Sequence, residues 1–390
     1  MNKNKKSLFL KPLFVVMVVV FFGCTPLLGT CQFTIRLVVT NIATKQNDDN
    51  VYVSGTFNNW NPNDDKYLLK PSAGGRKVVV IRNLPPGVYA FKFTRGSFDK
   101  VECMADGRDI NDRQLEVNND ITQEISIAGW KDDYPERPKK YTASPQVRLM
   151  DTAFAVPQLK CNRRIWMYLP KSYAVSSKTY PVLYMHDGQN LFNEQTAGLG
   201  GEWGVDECLD SLQKQLGKEA IVIGIDHGGD RRMNEYNPYY HFQYGKGEGK
   251  EYIDFIVKNL KPYIDNKFRT KKGVENTFIA GSSMGGLISL HALFQYSDVF
   301  GGAGVFSPAF WIAPQLYQDA AEFKEQGTPK IYFYAGGRES ASMLTDMDKM
   351  IGVLQKKINY RIRRSVFPLG EHNEKAWRSE FAAFYSWLMQ

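Results

Sequence analysis

Residues 277–294 read TFIAGSSMGGLISLHALF. It starts as a short β-type run, residues 281–285 match Gly-x-Ser-x-Gly, and the apolar residues that follow predict a helix. Between a strand and a helix, such glycines let neighbouring backbone segments approach each other closely. The serine between them then lies on a sharp turn with its side chain exposed. The stretch therefore predicts a strand–turn–helix unit with Ser283 as a nucleophile. A plain glycine turn is the alternative, and Ser282 lacks the flanking glycines.

The residues around this unit, from 146 to 390, alternate between strand-like and helix-like segments. Apolar runs such as PVLYMHD and KIYFYAGG alternate with helical patterns such as those of residues 251–268 and 343–358. Alternation of this kind predicts an α/β domain with a mostly parallel sheet and helices on both faces.

The preceding residues, 32–130, follow a different pattern. Short alternating β-type runs are separated by Asn, Gly and Pro turns about every ten positions, which predicts a small all-β, antiparallel, immunoglobulin-like sandwich. Residues 131–145 are rich in charge and proline, and they predict a linker between the two domains.

The first 31 residues have the pattern of an export signal. Four lysines precede the apolar run at 13–22, which is shorter than the roughly 20 residues that span a membrane. Cys24 ends a loose lipobox and could carry a lipid anchor, whereas Cys31 marks an ordinary cleavage site. An uncleaved anchor is the third possibility.

Charge and cysteine content exclude several functional classes. The formal net charge of +8 becomes +4 without the four leader lysines, and the remaining basic residues are scattered among acids. This distribution argues against a nucleic-acid partner. Beyond the leader, Cys103, Cys161 and Cys208 are too few and too spread for a disulfide scaffold or a thiolate metal site. We expect no metal and no other cofactor.

A nucleophilic serine needs a base, and two histidines follow Ser283 in the sequence. His291 lies eight residues along the same predicted helix, about 12 Å away at 1.5 Å per residue, and cannot turn back. His372 lies in the loop between the last predicted strand and the last helix. The sequence therefore favours His372 as the base.

The acid that orients the histidine is expected after the strand KIYFYAGG. Glu339 is the first carboxylate beyond that strand and is our choice. Asp346 and Asp348 are alternatives, although both fall on the predicted helix that follows.

The developing oxyanion needs two backbone donors. Met284, immediately after the nucleophile, is expected to supply one amide. The loop Met185-His186-Asp187-Gly188-Gln189 ends an early strand, so the amide of Asp187 or Gly188 is expected to supply the other.

Six segments in this order carry a family resemblance: YPVLYMHDGQNLF, GEWGVDECLDSL, IVIGIDHGGDRRMNEYNP, FIAGSSMGG, IYFYAGGRES and GEHNEKAWR. They resemble the esterase D and enterochelin-esterase-like branch of the α/β-hydrolases, close to carbohydrate esterases of the feruloyl and acetyl-xylan type. The resemblance implies metal-free serine ester hydrolysis with Ser283, Glu339 and His372 at the triad positions. Four residues are expected in the loops around the Ser283 turn: Gln189, Trp203, Arg232 and Glu235. They are expected to line the substrate pocket, with ordinary packing as the alternative role.

Residues 51–62 and 87–93 resemble the immunoglobulin-like glycogen- and starch-binding modules of amylolytic enzymes. The resemblance implies that Trp60 and Lys92 contact a glycan. The second stacking tryptophan of such modules has no clear counterpart, because Phe98 stands in that region. Docking against the catalytic domain is therefore the alternative role.

These expectations combine into an exported serine esterase that removes acetyl or feruloyl groups from glycans or related small esters. A siderophore esterase or an acyltransferase would use the same residues. A non-catalytic glycan-binding surface protein is the remaining alternative.

Overall fold

The computed structural model describes residues 32–43, 50–58, 60–110, 112–134, 138–198, 201–241, 244–324, 327–356 and 361–390. The predicted leader, with Cys24 and Cys31, lies outside these ranges. Within them, no helix has both the length and the apolar character that crossing a bilayer requires.

In the described part of the N-terminal domain, β-strands form two main sheets and one short pair. The strands are β1 (Phe33–Ile42), β2 (Tyr52–Gly55), β3 (Lys70–Pro71), β4 (Lys77–Leu84), β5 (Gly87–Thr94), β6 (Glu102–Cys103), β7 (Arg113–Val117), β8 (Ile121–Ile127) and β9 (Gly129–Trp130). The sheet orders are β3-β4-β1-β8, β2-β5-β7 and β6-β9. The sandwich differs from the expected all-antiparallel arrangement in one place, because β1 and β8 pair in parallel.

The core of this domain lies between the two main sheets and includes Val53, Phe91, Phe93 and Trp130, all fully buried. Alternate residues of β5 point inward, as expected for a strand with one face in the core.

The predicted linker is docked at both ends. Asp132 and Asp133 both pair with Arg95 of the sandwich. At the other end, the amide of Ser144 donates to Asp206 of the catalytic domain at 2.6 Å. Charged side chains thus fix these ends of the segment to the domains that they join.

The described residues of the C-terminal domain form an eight-stranded sheet and eight α-helices. Its strands are β10 (Val147–Val156), β11 (Cys161–Tyr168), β12 (Val182–His186), β13 (Ile221–Ile225), β14 (Thr277–Ser282), β15 (Gly302–Phe306), β16 (Lys330–Gly336) and β17 (Arg361–Phe367). Its helices are α1 (Val205–Leu216), α2 (Arg232–Glu235), α3 (Gly249–Phe255), α4 (Lys261–Lys267), α5 (Met284–Gln295), α6 (Leu316–Glu322), α7 (Ala341–Leu354) and α8 (Glu374–Leu388). A π-helical stretch, Ile256–Leu260, joins α3 to α4.

Each face of the sheet is covered by helices, as the sequence predicts. Helices α3 to α7 contribute to the hydrophobic core on one face, and α1 and α8 to the core on the other. Neighbouring residues of β12 divide between the two, since Tyr184 belongs to the first core and Leu183 to the second.

The sheet order β10-β11-β13-β12-β14-β15-β16-β17 is parallel from β13 to β17. The carboxyl ends of these strands therefore meet at one edge, where ligands of open α/β sheets bind. The residues that follow β12, β14, β15, β16 and β17 all lie at this edge, although they are far apart in sequence.

Candidate active site

Ser283 occupies the sharp turn between β14 and α5. Its backbone has φ 58° and ψ −119°, a conformation that is strained for a residue with a side chain. The turn is held on both sides, because the Ser283 amide donates to the Phe306 carbonyl at 2.8 Å and the Ser283 carbonyl accepts from Ala309 at 3.2 Å. This is the strand–turn–helix geometry predicted from the sequence.

At two positions close to Ser283, neighbouring atoms leave no room for any residue larger than glycine. A Cβ on Gly281 would lie 2.9 Å from the ring of His186, and a Cβ on Gly286 would lie 2.9 Å from the Phe306 carbonyl oxygen. The elbow can therefore pack against the neighbouring strand ends only with glycine at these positions.

His372 and Glu339 form a hydrogen-bonded pair at the same edge of the sheet. Nδ1 of His372 lies 2.7 Å from Oε2 of Glu339. Donation from Nδ1 to the carboxylate leaves Nε2 unprotonated, which is the form that can accept a proton. Glu339 is buried, whereas 35% of the His372 side chain is exposed. The imidazole is thus anchored from behind and accessible in front.

The second oxygen of Glu339 is held by two further donors. The Ser307 hydroxyl and the Gly336 amide both donate to Oε1 at 2.6 Å. The Ser307 hydroxyl also accepts from the Trp377 indole at 2.9 Å, and Trp377 meets the His372 ring edge to face. Sequence reasoning missed Ser307, although a serine directly after a strand next to the nucleophile strand is a usable signal.

Nearby carboxylates raise the pKa of His372. Burial alone would lower this pKa, but the charge and hydrogen bond of Glu339 outweigh it, and Asp112 and Glu374 add to the rise. Glu374 is a second residue that sequence reasoning missed; it follows His372 by two positions and accepts from the Asn190 side chain at 3.3 Å. The site therefore favours the protonated imidazolium electrostatically.

The predicted oxyanion loop follows β12 and is fixed by a tyrosine pair. Asp187 has a left-handed backbone conformation with φ 56°, and its amide donates to the Tyr236 hydroxyl at 3.2 Å. His186 pairs with the Tyr252 hydroxyl at 2.9 Å, and burial lowers the His186 pKa to about 3. Because the Asp187 amide already has a partner, Gly188 is the stronger candidate for the second oxyanion donor.

Two of the four predicted pocket residues lie in or against the oxyanion loop, since Gln189 belongs to it and Arg232, the first residue of α2, pairs with Asp187. Arg232 donates twice to the Asp187 carboxylate, at 2.7 and 2.8 Å, and this charge holds the Asp187 pKa below its ordinary value despite the raising effect of burial. Gln189 is half-buried and accepts from the His227 amide at 3.3 Å.

The pocket assignments of Glu235 and Trp203 need correction. Glu235 is fully buried and pairs with Arg163 of β11. Trp203 is 2% exposed and stacks on Trp377, with the ring centroids 5.6 Å apart. Neither side chain can contact a substrate in this structure, because neither presents appreciable surface to solvent. Trp203 instead supports the indole that packs against His372.

The two alternative acids lie on α7 and have other partners. Asp348 pairs with Arg364 at 2.6 Å, and Asp346 lies beside the Tyr317 hydroxyl. The geometry therefore favours Glu339.

The predicted glycan contacts lie in the N-terminal domain. Trp60 is half-buried and has a positive φ of 57°. The ammonium group of Lys92 forms an ion pair with Asp112 at 2.9 Å.

No cluster of three or more His, Cys, Asp or Glu side chains suited to a metal ion occurs in the described part of the chain. Cys103, Cys161 and Cys208 are free thiols there.

Two family models match separate parts of the chain. The family model described as "Putative esterase" matches residues 157–388, which is more than half of the chain. A second model, the glycogen recognition site of AMP-activated protein kinase, matches residues 38–124.

Several characterised and uncharacterised proteins are similar in sequence. Uncharacterized protein YbbA of Bacillus subtilis is 28% identical over 248 residues, covering 58% of this chain and 92% of that protein. An α-amylase of Niallia circulans is 38% identical over 84 residues, which cover 21% of this chain and 6% of the amylase. An endo-1,4-β-xylanase/feruloyl esterase of Xylanibacter ruminicola is 26% identical over 154 residues, or 38% and 20% of the two chains.

Among solved structures, the enterobactin esterase of Shigella flexneri superposes with a TM-score of 0.54. The match covers 88% of this chain and 89% of that one at 16% identity, so it shows the shared fold alone. With an esterase family model spanning most of the α/β domain, the chain belongs to this esterase family and is a carboxylic-ester hydrolase of the α/β-hydrolase type.

Proposed function

We propose that the protein is an exported serine esterase that removes acyl groups, acetyl or feruloyl, from glycans or related small esters. The observation that carries the serine mechanism is the Glu339–His372 pair at the sheet edge where the strained Ser283 turn ends β14. The glycan part of the proposal is supported by the match to a glycogen recognition site and by the amylase and xylanase/feruloyl esterase relatives.

In the proposed reaction, the Ser283 hydroxyl attacks the ester carbonyl and His372 Nε2 takes its proton. The amides of Met284 and Gly188 stabilise the oxyanion that forms on the carbonyl oxygen. When the intermediate collapses, His372 returns the proton to the departing alcohol and the acyl group stays on Ser283. Water activated by His372 then attacks this acyl-enzyme, releases the acid and restores the serine.

A panel of acetyl, feruloyl and siderophore esters tests the substrate class directly. We expect the wild type to hydrolyse acyl-sugar esters fastest and a fluorophosphonate to label it at Ser283, because only an activated serine reacts with this reagent. Product release is followed by chromatography and the label by mass spectrometry, with Ser283→Ala as the blank. Fastest turnover of the siderophore ester would replace the glycan assignment, and absence of both turnover and label would exclude the serine mechanism.

Export is proposed from the basic and apolar leader at residues 1–31. In a bacterial host, we expect the full chain to fractionate outside the cytoplasm with its leader cleaved. If Cys24 is lipidated, the wild type remains with membranes and Cys24→Ser becomes soluble, whereas simple cleavage gives the same soluble product for both. A cytoplasmic chain with an intact leader would contradict export.

A further inference from the structure

The three-stranded sheet of the N-terminal domain turns its outer face toward the catalytic domain. Phe91 and Phe93 of β5 point into the sandwich core, so the alternate residues Ala90 and Lys92 point outward. Ala90 is nonetheless 9% exposed, because β5 lies against α7. The sheet face that carries Lys92 is thus partly covered by the esterase domain.

This outer face reaches the loops that carry the acid and the base. Gln114 is paired with Ala90 across the sheet, and its side-chain amide donates to the Arg338 carbonyl, next to Glu339. The Arg338 amide in turn donates at 2.9 Å to the carbonyl of Gly370, two residues before His372. The N-terminal domain is therefore one hydrogen bond away from the loop that carries Glu339 and two hydrogen bonds away from the loop that carries His372.

The ion pair between Lys92 and Asp112 lies on the same face. Lys92 is two residues from Ala90, and Asp112 is two residues from Gln114. The two side chains are 22% and 32% exposed, so each keeps surface that a ligand could contact. The charge of Asp112 helps to raise the pKa of His372. The imidazole of His372 is contacted by Glu339 and Trp377, so a ligand has to reach it from the part that remains exposed.

Position relative to the base decides which half of an ester this pair would meet. His372 returns its proton to the departing alcohol, so the alcohol must lie against the exposed part of the imidazole. Groups beside that part of the ring contact the alcohol and not the acyl chain. An ammonium donor next to a carboxylate acceptor is suited to neighbouring hydroxyl groups, such as those of a sugar.

We propose that Lys92 and Asp112 form the subsite for the alcohol half of the ester and bind the hydroxyl groups of a sugar there. The proposal rests on the proposed serine-esterase function. In this proposal, the N-terminal domain forms one side of the catalytic cleft and is not a separate domain that binds the enzyme to a polymeric glycan. Short sugar esters should then depend on the pair as much as long glycans do.

The test compares the methyl ester and the glucose ester of one acid, ferulate or acetate, whichever the wild type hydrolyses better. In Lys92→Met and in Lys92→Met/Asp112→Asn, we expect the ratio of kcat/KM for the glucose ester to that for the methyl ester to fall at least about tenfold. This is the scale of a lost hydrogen bond to a charged group. The double variant removes both charges, so it separates loss of recognition from the effect of an unpaired Asp112.

Lys70→Met is the matched control, because Lys70 is exposed on β3 of the other main sheet. Its ratio should equal that of the wild type, and thermal midpoints of all variants report whether they fold. An unchanged ratio in both Lys92 variants, or equal losses on the two esters, would overturn the subsite and leave the esterase proposal standing. A folded wild type that hydrolyses neither ester would overturn both.

Discussion

Removing the Ser283 hydroxyl is expected to lower kcat about 10⁴- to 10⁶-fold, and removing the His372 imidazole should cost about as much. The reason is that the two groups act as one unit: the hydroxyl is a poor nucleophile without the base, and the base has nothing to activate without the hydroxyl. Ser283→Ala/His372→Ala should therefore be no slower than the worse single variant.

The measurement is a cycle of four proteins assayed with the best ester of the substrate panel, after subtraction of spontaneous hydrolysis. Ser282→Ala is the matched control, because Ser282 is the adjacent residue, ends β14 and is buried. We expect Ser282→Ala to retain most of the wild-type kcat. Losses that multiply in the double variant would show that the two groups act independently, and a Ser283→Ala protein with near-wild-type kcat would exclude the nucleophile assignment.

The elbow and the order of the chemical groups could be predicted because they depend on short-range patterns. Glycines on both sides of Ser283 indicate a sharp turn, and the alternation of strands and helices predicts the order of the elements around it. Glu339 and His372 each lie in the loop that follows a recognisable strand. In a parallel sheet all such positions share one edge, so chain position alone brings these groups together.

The direction of loop side chains could not be predicted in the same way. Glu235 and Trp203 lie in segments close to the site, yet each is directed inward by a partner distant in sequence: Arg163 for the first and Trp377 for the second. Nothing in the local pattern distinguishes a buried ion pair or a stacked indole from a pocket wall. Only the packing of the folded chain decides between them.

The sequence left docking of the N-terminal domain open as an alternative to glycan binding, but it could not say which face of the domain would dock. The residues of a glycan-binding fold can be recognised from their motif, but the motif does not say which sheet face another domain covers. Asp112 and Gln114 follow no motif at all, and their importance comes from contacts with Lys92 and Arg338. Lys92 was predicted as a glycan contact, and the structure adds its ion pair with Asp112.

Glu339→Gln should lower kcat about 10³- to 10⁴-fold, the second of the large effects. The carboxylate accepts from Nδ1 of His372 and thereby leaves Nε2 free to take the serine proton. A glutamine amide can donate to Nδ1 instead, which favours the tautomer with its proton on Nε2. Asp346→Asn is the control, because Asp346 lies on α7 beside Tyr317, and we expect it to retain most of the wild-type kcat.

The pH dependence of kcat/KM gives this substitution a second readout. In the wild type, the catalytic form is the neutral imidazole, so activity falls as pH drops through a His372 pKa that lies above the ordinary 6.5. Glu339→Gln removes the main group that raises this pKa, while burial, which lowers it, remains. The charges of Asp112 and Glu374 remain and keep part of the rise in the His372 pKa. The acid limb of the residual activity should therefore move to lower pH. An unmoved limb in Glu339→Gln, together with a large loss in Asp346→Asn, would transfer the acid role to Asp346.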